Sequence, residues 1–197
     1  MVGYPESLTD PSYCDQILVL TFPLIGNYGV PDRKRLEEQI KEIPRYFESR
    51  KIHIAALIVS RCSEDFSHYL AKSSLSDWLK ENNIPALHGI DTRALTKKIR
   101  NQGVMMGKVL FPTSADLPSE IANENWMSLY RDMEWYDPNA THLVEKVSTR
   151  QVTTYPAIGS TPDNITILAV DVGMVCCMAL LSSLISRFRN SIKFVAS

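Results

Sequence analysis

A chain of 197 residues, 45% of them apolar, is long enough for one domain of ordinary size and part of another. Its net charge of −1 argues against a nucleic-acid or polyanion binder. Cys14, Cys62, Cys176 and Cys177 form no Cys-x-x-Cys pair and follow no secretory leader, which disfavours a disulfide framework and fits a reducing, cytoplasmic setting. In that setting the sequons Asn139-Ala-Thr141 and Asn164-Ile-Thr166 read as chance.

From the start of the chain, Gly3 to Tyr13 reads as a long polar loop. Pro5 and Pro11 fix φ and keep the segment out of a helix or central strand, and Asp10-Pro11-Ser12 favours a turn that presents short hydroxyls. Gln16 to Phe22 is rich enough in Ile, Leu and Val for a buried strand, which Pro23 ends. Gly26-Asn-Tyr-Gly29 then makes a tight turn; as a phosphate cradle it lacks a following Lys-Ser/Thr. The charge-dense residues 33–42 suit a solvated helix that Pro44 interrupts, with Tyr46 and Phe47 on its apolar side. Ile52 to Ser60 predicts a central strand. Cys62 and His68 share the polar connection that follows, but no elbow or oxyanion donor accompanies them, and Cys62 reads as an ordinary thiol.

Ser74-x-x-Asp77 is a capping signal for a helix with Leu75, Trp78 and Leu79 on one face, ended by Asn82-Asn83 and Pro85. Ile84 to Ile90 predicts a short strand leading to Asp91, the N-cap of a helix with Leu95 and Ile99 facing inward and Gly103 as its stop. Asp91-Thr92-Arg93 is compact and polar enough for a ligand site, but helix capping is the preferred reading. Val104 to Phe111 predicts a strand and Ala115 to Asn123 a short helix. Trp126, Tyr130, Trp135 and Tyr136 lack the interleaved Lys and Arg of a base-stacking surface and suit core or interface packing. Residues 149–164 have linker composition. The apolar stretch Ile165 to Ile185 is long enough to span a bilayer. Asp171 within it costs about 3 kcal/mol on the insertion scale, and its first half has strand chemistry, so an aggregation-prone tail is the preferred reading.

Three stretches carry a resemblance. Met1 to Tyr13 with Gln16 to Gly29, then Pro85-Ala-Leu-His-Gly-Ile-Asp-Thr-Arg-Ala-Leu-Thr-Lys-Lys-Ile-Arg100, then Gly107-Lys108, resemble the N-terminal domain of the small, glutaminase subunit of glutamine-dependent carbamoyl-phosphate synthetase. The wording Asn27-Tyr28-Gly29-Val30-Pro31 leans toward the fused form in multifunctional proteins of pyrimidine biosynthesis, which join the synthetase to aspartate transcarbamoylase and dihydroorotase. The resemblance implies a mixed α/β fold: a swivelling β/β/α-type domain over 1–148, closed by a strand-like His142 to Val147, and a linker at 149–163. The first strand of an incomplete class I glutamine amidotransferase α/β domain follows at 164–174, then a divergent tail at 175–197. It also implies that Ser12, in Thr-Asp-Pro-Ser-Tyr13, contacts the substrate L-glutamine.

No Gly-x-Cys-x-Gly elbow occurs, so no catalytic residue and no metal ligand is assigned here, and the fragment is expected to be inactive and truncated at both ends. The family's ATP and Mg belong to the synthetase portion. That portion and the amidotransferase domain are the implied partners, with no nucleic acid and no membrane. The expected role is a structural and substrate-contacting part of an enzyme making carbamoyl phosphate from glutamine, bicarbonate and ATP. The alternative is a non-catalytic module, or truncated product, that binds the synthetase portion without hydrolysing glutamine.

Overall fold

The computed structural model describes residues 3–36, 44–110, 131–155, 166–171 and 191–196. Helix α1 (Tyr4–Thr9) and a 3-10 turn over Pro11–Tyr13 lead into strand β1 (Ile17–Ile25). Strand β2 (Val30–Pro31) pairs antiparallel with β4 (Ala71–Ser73). Between β1 and the short β5 (Ala86–Leu87) lies β3 (Ala56–Cys62), parallel to both, with Leu57 opposite Leu18 and Ala86. Parallel neighbours need a crossover, and helix α2 (Leu75–Glu81) supplies part of the one between β3 and β5. Helix α3 (Thr92–Gln102) packs against β1 and β3. The architecture is mixed α/β with a parallel sheet.

One core joins these parts. Leu20, Ile25, Leu57 and Val59 from the sheet, Leu75, Trp78 and Leu79 from α2, and Tyr4 and Leu8 from α1 are buried together with Phe47 and Ile54. Helix α2 follows the predicted cap: the Asp77 N–H donates to Ser74 Oγ at 3.0 Å, and that hydroxyl donates to Asp77 Oδ2 at 2.8 Å. Asn83, at φ +55°, follows the helix end at Asn82. The Gly26–Gly29 turn is closed by the Gly29 N–H on the Gly26 carbonyl at 2.9 Å.

Several elements depart from expectation. The opening segment is no loop: Pro5 sits in the first turn of α1, where its missing N–H has no intrahelical role. Pro23 does not end β1, which runs on to Ile25, because among the described strands β1 lies at the sheet edge and one face of its ladder needs no donor. Its outer half is not buried, with Phe22 50% exposed. Residues 33–36 form a turn and a bridge from Leu36 to Pro44 instead of a helix, and 37–43 lie outside the described residues. Val104 to 110 is not a strand: among the described residues no strand pairs with it, and Val104 is 93% exposed. The predicted helix over 115–123, Trp126, Tyr130, Cys176 and Cys177 lie outside the described residues. Trp135 and Tyr136 are exposed, not core.

His142 to Val147 is not strand-like either. Leu143–Val147 forms helix α4, whose Glu145 N–H donates to His142 Nδ1 at 3.2 Å. Strand β6 (Thr153–Tyr155) lies inside the predicted linker. Strand β7 (Thr166–Asp171) forms where the amidotransferase-like strand was placed, and the tail supplies its parallel partner, β8 (Ser191–Ala196), which also takes β6 antiparallel. No helix among the described residues is long and apolar enough to cross a membrane.

Candidate functional site

The site is built around Ser12 by what holds its segment still. Tyr4, fully buried at the start of α1, donates its hydroxyl to the Gly29 carbonyl at 2.7 Å, and burial raises its phenol above the ordinary range. Thr9, at the helix end, donates to the Pro5 carbonyl at 2.8 Å and accepts the Glu48 N–H at 3.0 Å. Its carbonyl accepts the Ser49 hydroxyl at 2.7 Å, while the His53 N–H reaches the Leu8 carbonyl at 3.0 Å. Helix α1, too short to persist alone, is thus stitched to residues 48–53.

Asp10 turns the chain out of α1 and caps the 3-10 turn, its carboxylate accepting the Ser12 N–H at 2.8 Å. Ser12 is exposed, and its hydroxyl has no hydrogen-bond partner among the described residues. The Ser12 backbone is fixed on both sides, because its carbonyl accepts from Gln16 Nε2 at 3.2 Å. Beyond it, Asp15 at φ +60° receives the Lys146 ammonium from α4 and the Tyr136 hydroxyl at 2.9 Å. Burial pushes the Asp15 carboxyl up, but Lys146 and Tyr136 together hold it below its usual range. The outcome is an outward-facing hydroxyl on a backbone anchored at Tyr4, Asp10 and Asp15. It can donate to a carboxylate and accept from an ammonium.

Beside α1 lies a polar group, half-buried around the buried His53, that sequence reasoning missed. His53 is 9% exposed, with Nε2 3.0 Å from Ser49 Oγ, and burial, aided by Lys51, lowers it from 6.5 to about 4. Burial also raises Glu6 and Glu48, whose Oε2 atoms have no hydrogen-bond partner among the described residues. The signs oppose. Between about 4 and 6.5 the unfolded His53 binds a proton that the folded one refuses, so its contribution is complete above 6.5 and is lost as pH falls. The glutamates hold protons longer when folded, so their contribution falls as pH rises from 4.5 through their raised values. Comparing urea unfolding of wild type and His53→Gln isolates the first effect. The stability difference should grow by about 1.4 kcal/mol per pH unit through that window, and equal slopes would rule the buried neutral imidazole out.

The other candidates separate. Cys62 is pushed up by burial, and its thiol donates to the Ser63 carbonyl at 3.8 Å. His68 stacks on Tyr28 at 4.1 Å and accepts the Leu70 N–H on Nδ1. Neither engages the other. Asp91 caps α3, accepting the Ala94 N–H at 2.9 Å. No group of three or more His, Cys, Asp or Glu among the described residues could hold a metal ion. Asp15, Tyr136 and Lys146 carried no signal in the sequence, because the latch closes over a separation of 131 residues.

Residues 1–109 match the family described as carbamoyl-phosphate synthase small chain, CPSase domain. The chain is 48% identical over 187 residues to multifunctional protein pyrABCN of Emericella nidulans, covering 88% of itself and 8% of that protein. To multifunctional protein CAD of Squalus acanthias it is 47% identical over 174 residues, covering 88% and 7%. To the mitochondrial carbamoyl-phosphate synthase (ammonia) of Homo sapiens it is 38% identical over 172 residues, covering 87% and 10%. It therefore spans 10% or less of these relatives' length.

Proposed function

Because the chain belongs to the carbamoyl-phosphate synthase small-chain family, we propose that it is a structural and glutamine-contacting part of the glutaminase component of such an enzyme. The whole enzyme would make carbamoyl phosphate from glutamine, bicarbonate and ATP at the first step of pyrimidine synthesis. The ATP and Mg would act in the synthetase portion, in the cytoplasm. The observation that carries this reading is Ser12: an exposed hydroxyl, without a partner among the described residues, on a backbone fixed by Asp10 and Gln16. Holding it in place before substrate arrives lowers the ordering cost of binding.

The role of Ser12 is binding, so its removal should act on substrate affinity. In the glutaminase-containing multifunctional enzyme, Ser12→Ala should raise the KM for glutamine about tenfold, the loss of one hydrogen bond to a charged group. Synthesis from free ammonia should be unchanged. An unaltered glutamine KM would sink the assignment. No Gly-x-Cys-x-Gly elbow occurs in the 197 residues, so the chain alone should release no ammonia from glutamine.

A second reading, a module that docks the synthetase portion without hydrolysing glutamine, draws on exposed apolar side chains. Phe22 and Leu24 on β1, and Val104, Met105 and Met106 after α3, face solvent. Co-purification of a synthetase portion with the wild-type chain, lost in Phe22→Ser with Leu24→Ser, would favour it.

A further inference from the structure

Asp15 stands between the 3-10 turn that carries Ser12 and strand β1, at φ +60°. An L residue persists in the left-handed region only where its surroundings fix it, and such outliers gather at active sites and ligand clamps. Here the fixing groups come from two sides. The Asp15 N–H donates to the His53 carbonyl at 3.1 Å. Its carboxylate accepts the Tyr136 hydroxyl at 2.9 Å and pairs with the Lys146 ammonium. Helix α4, which carries Lys146, has no buried residue, and Tyr136 is 55% exposed. Both donors therefore hold Asp15 by charge and hydrogen bonding more than by packing. An exposed tie of that kind adds little to stability. What it fixes is geometry. The Gln16 N–H donates back across Asp15 to the Tyr13 carbonyl at 3.1 Å, and Gln16 Nε2 donates to the Ser12 carbonyl at 3.2 Å. A change of backbone at Asp15 is thus passed to Ser12 within one turn.

We propose that Tyr136 and Lys146 are positioning residues for glutamine: by gripping Asp15 they hold the Ser12 hydroxyl where the substrate meets it. The inference rests on the reading of Ser12 as a glutamine contact and adds what regulates that contact. Neither Tyr136 nor Lys146 touches the substrate. With both donors in place, Asp15 stays at φ +60° and the loop is ordered before glutamine arrives. With them removed, Asp15 is free to leave that conformation, and binding must then order the loop itself. Linkage makes the coupling reciprocal: glutamine seated on Ser12 favours the closed latch as much as the latch favours glutamine. The affinity of a site near the start of the chain is in this way set by a segment more than 120 residues further on.

The test is glutamine kinetics in the glutaminase-containing multifunctional enzyme. Lys146→Met should raise the glutamine KM about threefold with kcat kept, the effect of losing one exposed ion pair. Tyr136→Phe, which removes only a hydroxyl, should raise it by a similar factor and remains informative should Lys146→Met fail to fold. In an enzyme already carrying Ser12→Ala, adding Lys146→Met should raise KM no further, because the latch acts through the hydroxyl that is gone. A merely structural role would lower kcat and ammonia-dependent synthesis as well, and would persist in the Ser12→Ala background; either result overturns the proposal. Unchanged KM in both single variants, with KM raised in Ser12→Ala, would overturn the latch and leave the glutamine contact standing. An unchanged KM in Ser12→Ala itself would remove both.

Discussion

Trp78→Ala is expected to destabilise the chain by about 3–5 kcal/mol, the usual cost of truncating a large buried aromatic. Trp78 is 2% exposed, and its ring lies 5.6 Å from that of Phe47. Helix α2 has seven residues and would not persist alone. Leu75, Trp78 and Leu79 hold it against the sheet, so the central side chain of the three controls whether the helix docks at all. Trp78 also borders a cavity of about 200 Å³ shared with Thr9, the residue that stitches α1 to residues 48–53. Truncation enlarges a void already present. A domain's whole stability is about 5–15 kcal/mol, so urea unfolding should begin far earlier or show no folded baseline. Leu95→Ala, on the half-buried side of α3, should cost much less. Comparable midpoints for the two variants would show that the core is not centred on α2.

The contrast between what was and was not legible has a physical pattern. Signals contained within one turn were read correctly: the Ser74–Asp77 cap, the Asp91 cap and the Gly26–Gly29 turn each satisfy backbone groups with neighbours a few residues away. Readings failed where a local rule met a tertiary setting. Pro5 excludes a helix interior but suits a helix start, and Pro23 excludes a central strand but suits an edge. The resemblance implied a strand at His142 to Val147, but Leu143, Val144 and Val147 fall at helical spacing, and the His142 cap and the reach of Lys146 to Asp15 favour a helix there. Val104 to 110 has the composition of a strand, but no partner among the described residues makes it one. At the candidate site, too, the local and the distant separate. Thr-Asp-Pro-Ser-Tyr13 pointed to Ser12, whereas the contacts fixing its backbone to Gly29 through Tyr4, and to α4 through Asp15, belong to distant segments.

Gly29→Ala is therefore the substitution that should join stability to the site. At φ +74° any L side chain is strained, by about 1–2 kcal/mol. A Cβ there would also lie 2.6 Å from Ala71 Cβ and 3.0 Å from the Phe66 ring, so β4 or the Phe66 loop must shift, adding about 1–3 kcal/mol of overpacking. Gly89 separates the two contributions. It has φ +82° but nothing within 4 Å of a built Cβ, so Gly89→Ala carries the backbone strain alone. Urea unfolding should place Gly29→Ala at least about 1 kcal/mol below Gly89→Ala. The displacement should also reach Ser12, because the Gly29 carbonyl is the acceptor that fixes Tyr4 and, through it, α1. In the glutaminase-containing enzyme, Gly29→Ala should raise the glutamine KM in the same direction as Ser12→Ala and leave ammonia-dependent synthesis unchanged. Equal stability of the two glycine variants would remove the steric argument. A normal glutamine KM in a folded Gly29→Ala enzyme would show that Ser12 is held by Asp10 and Asp15 without help from the turn.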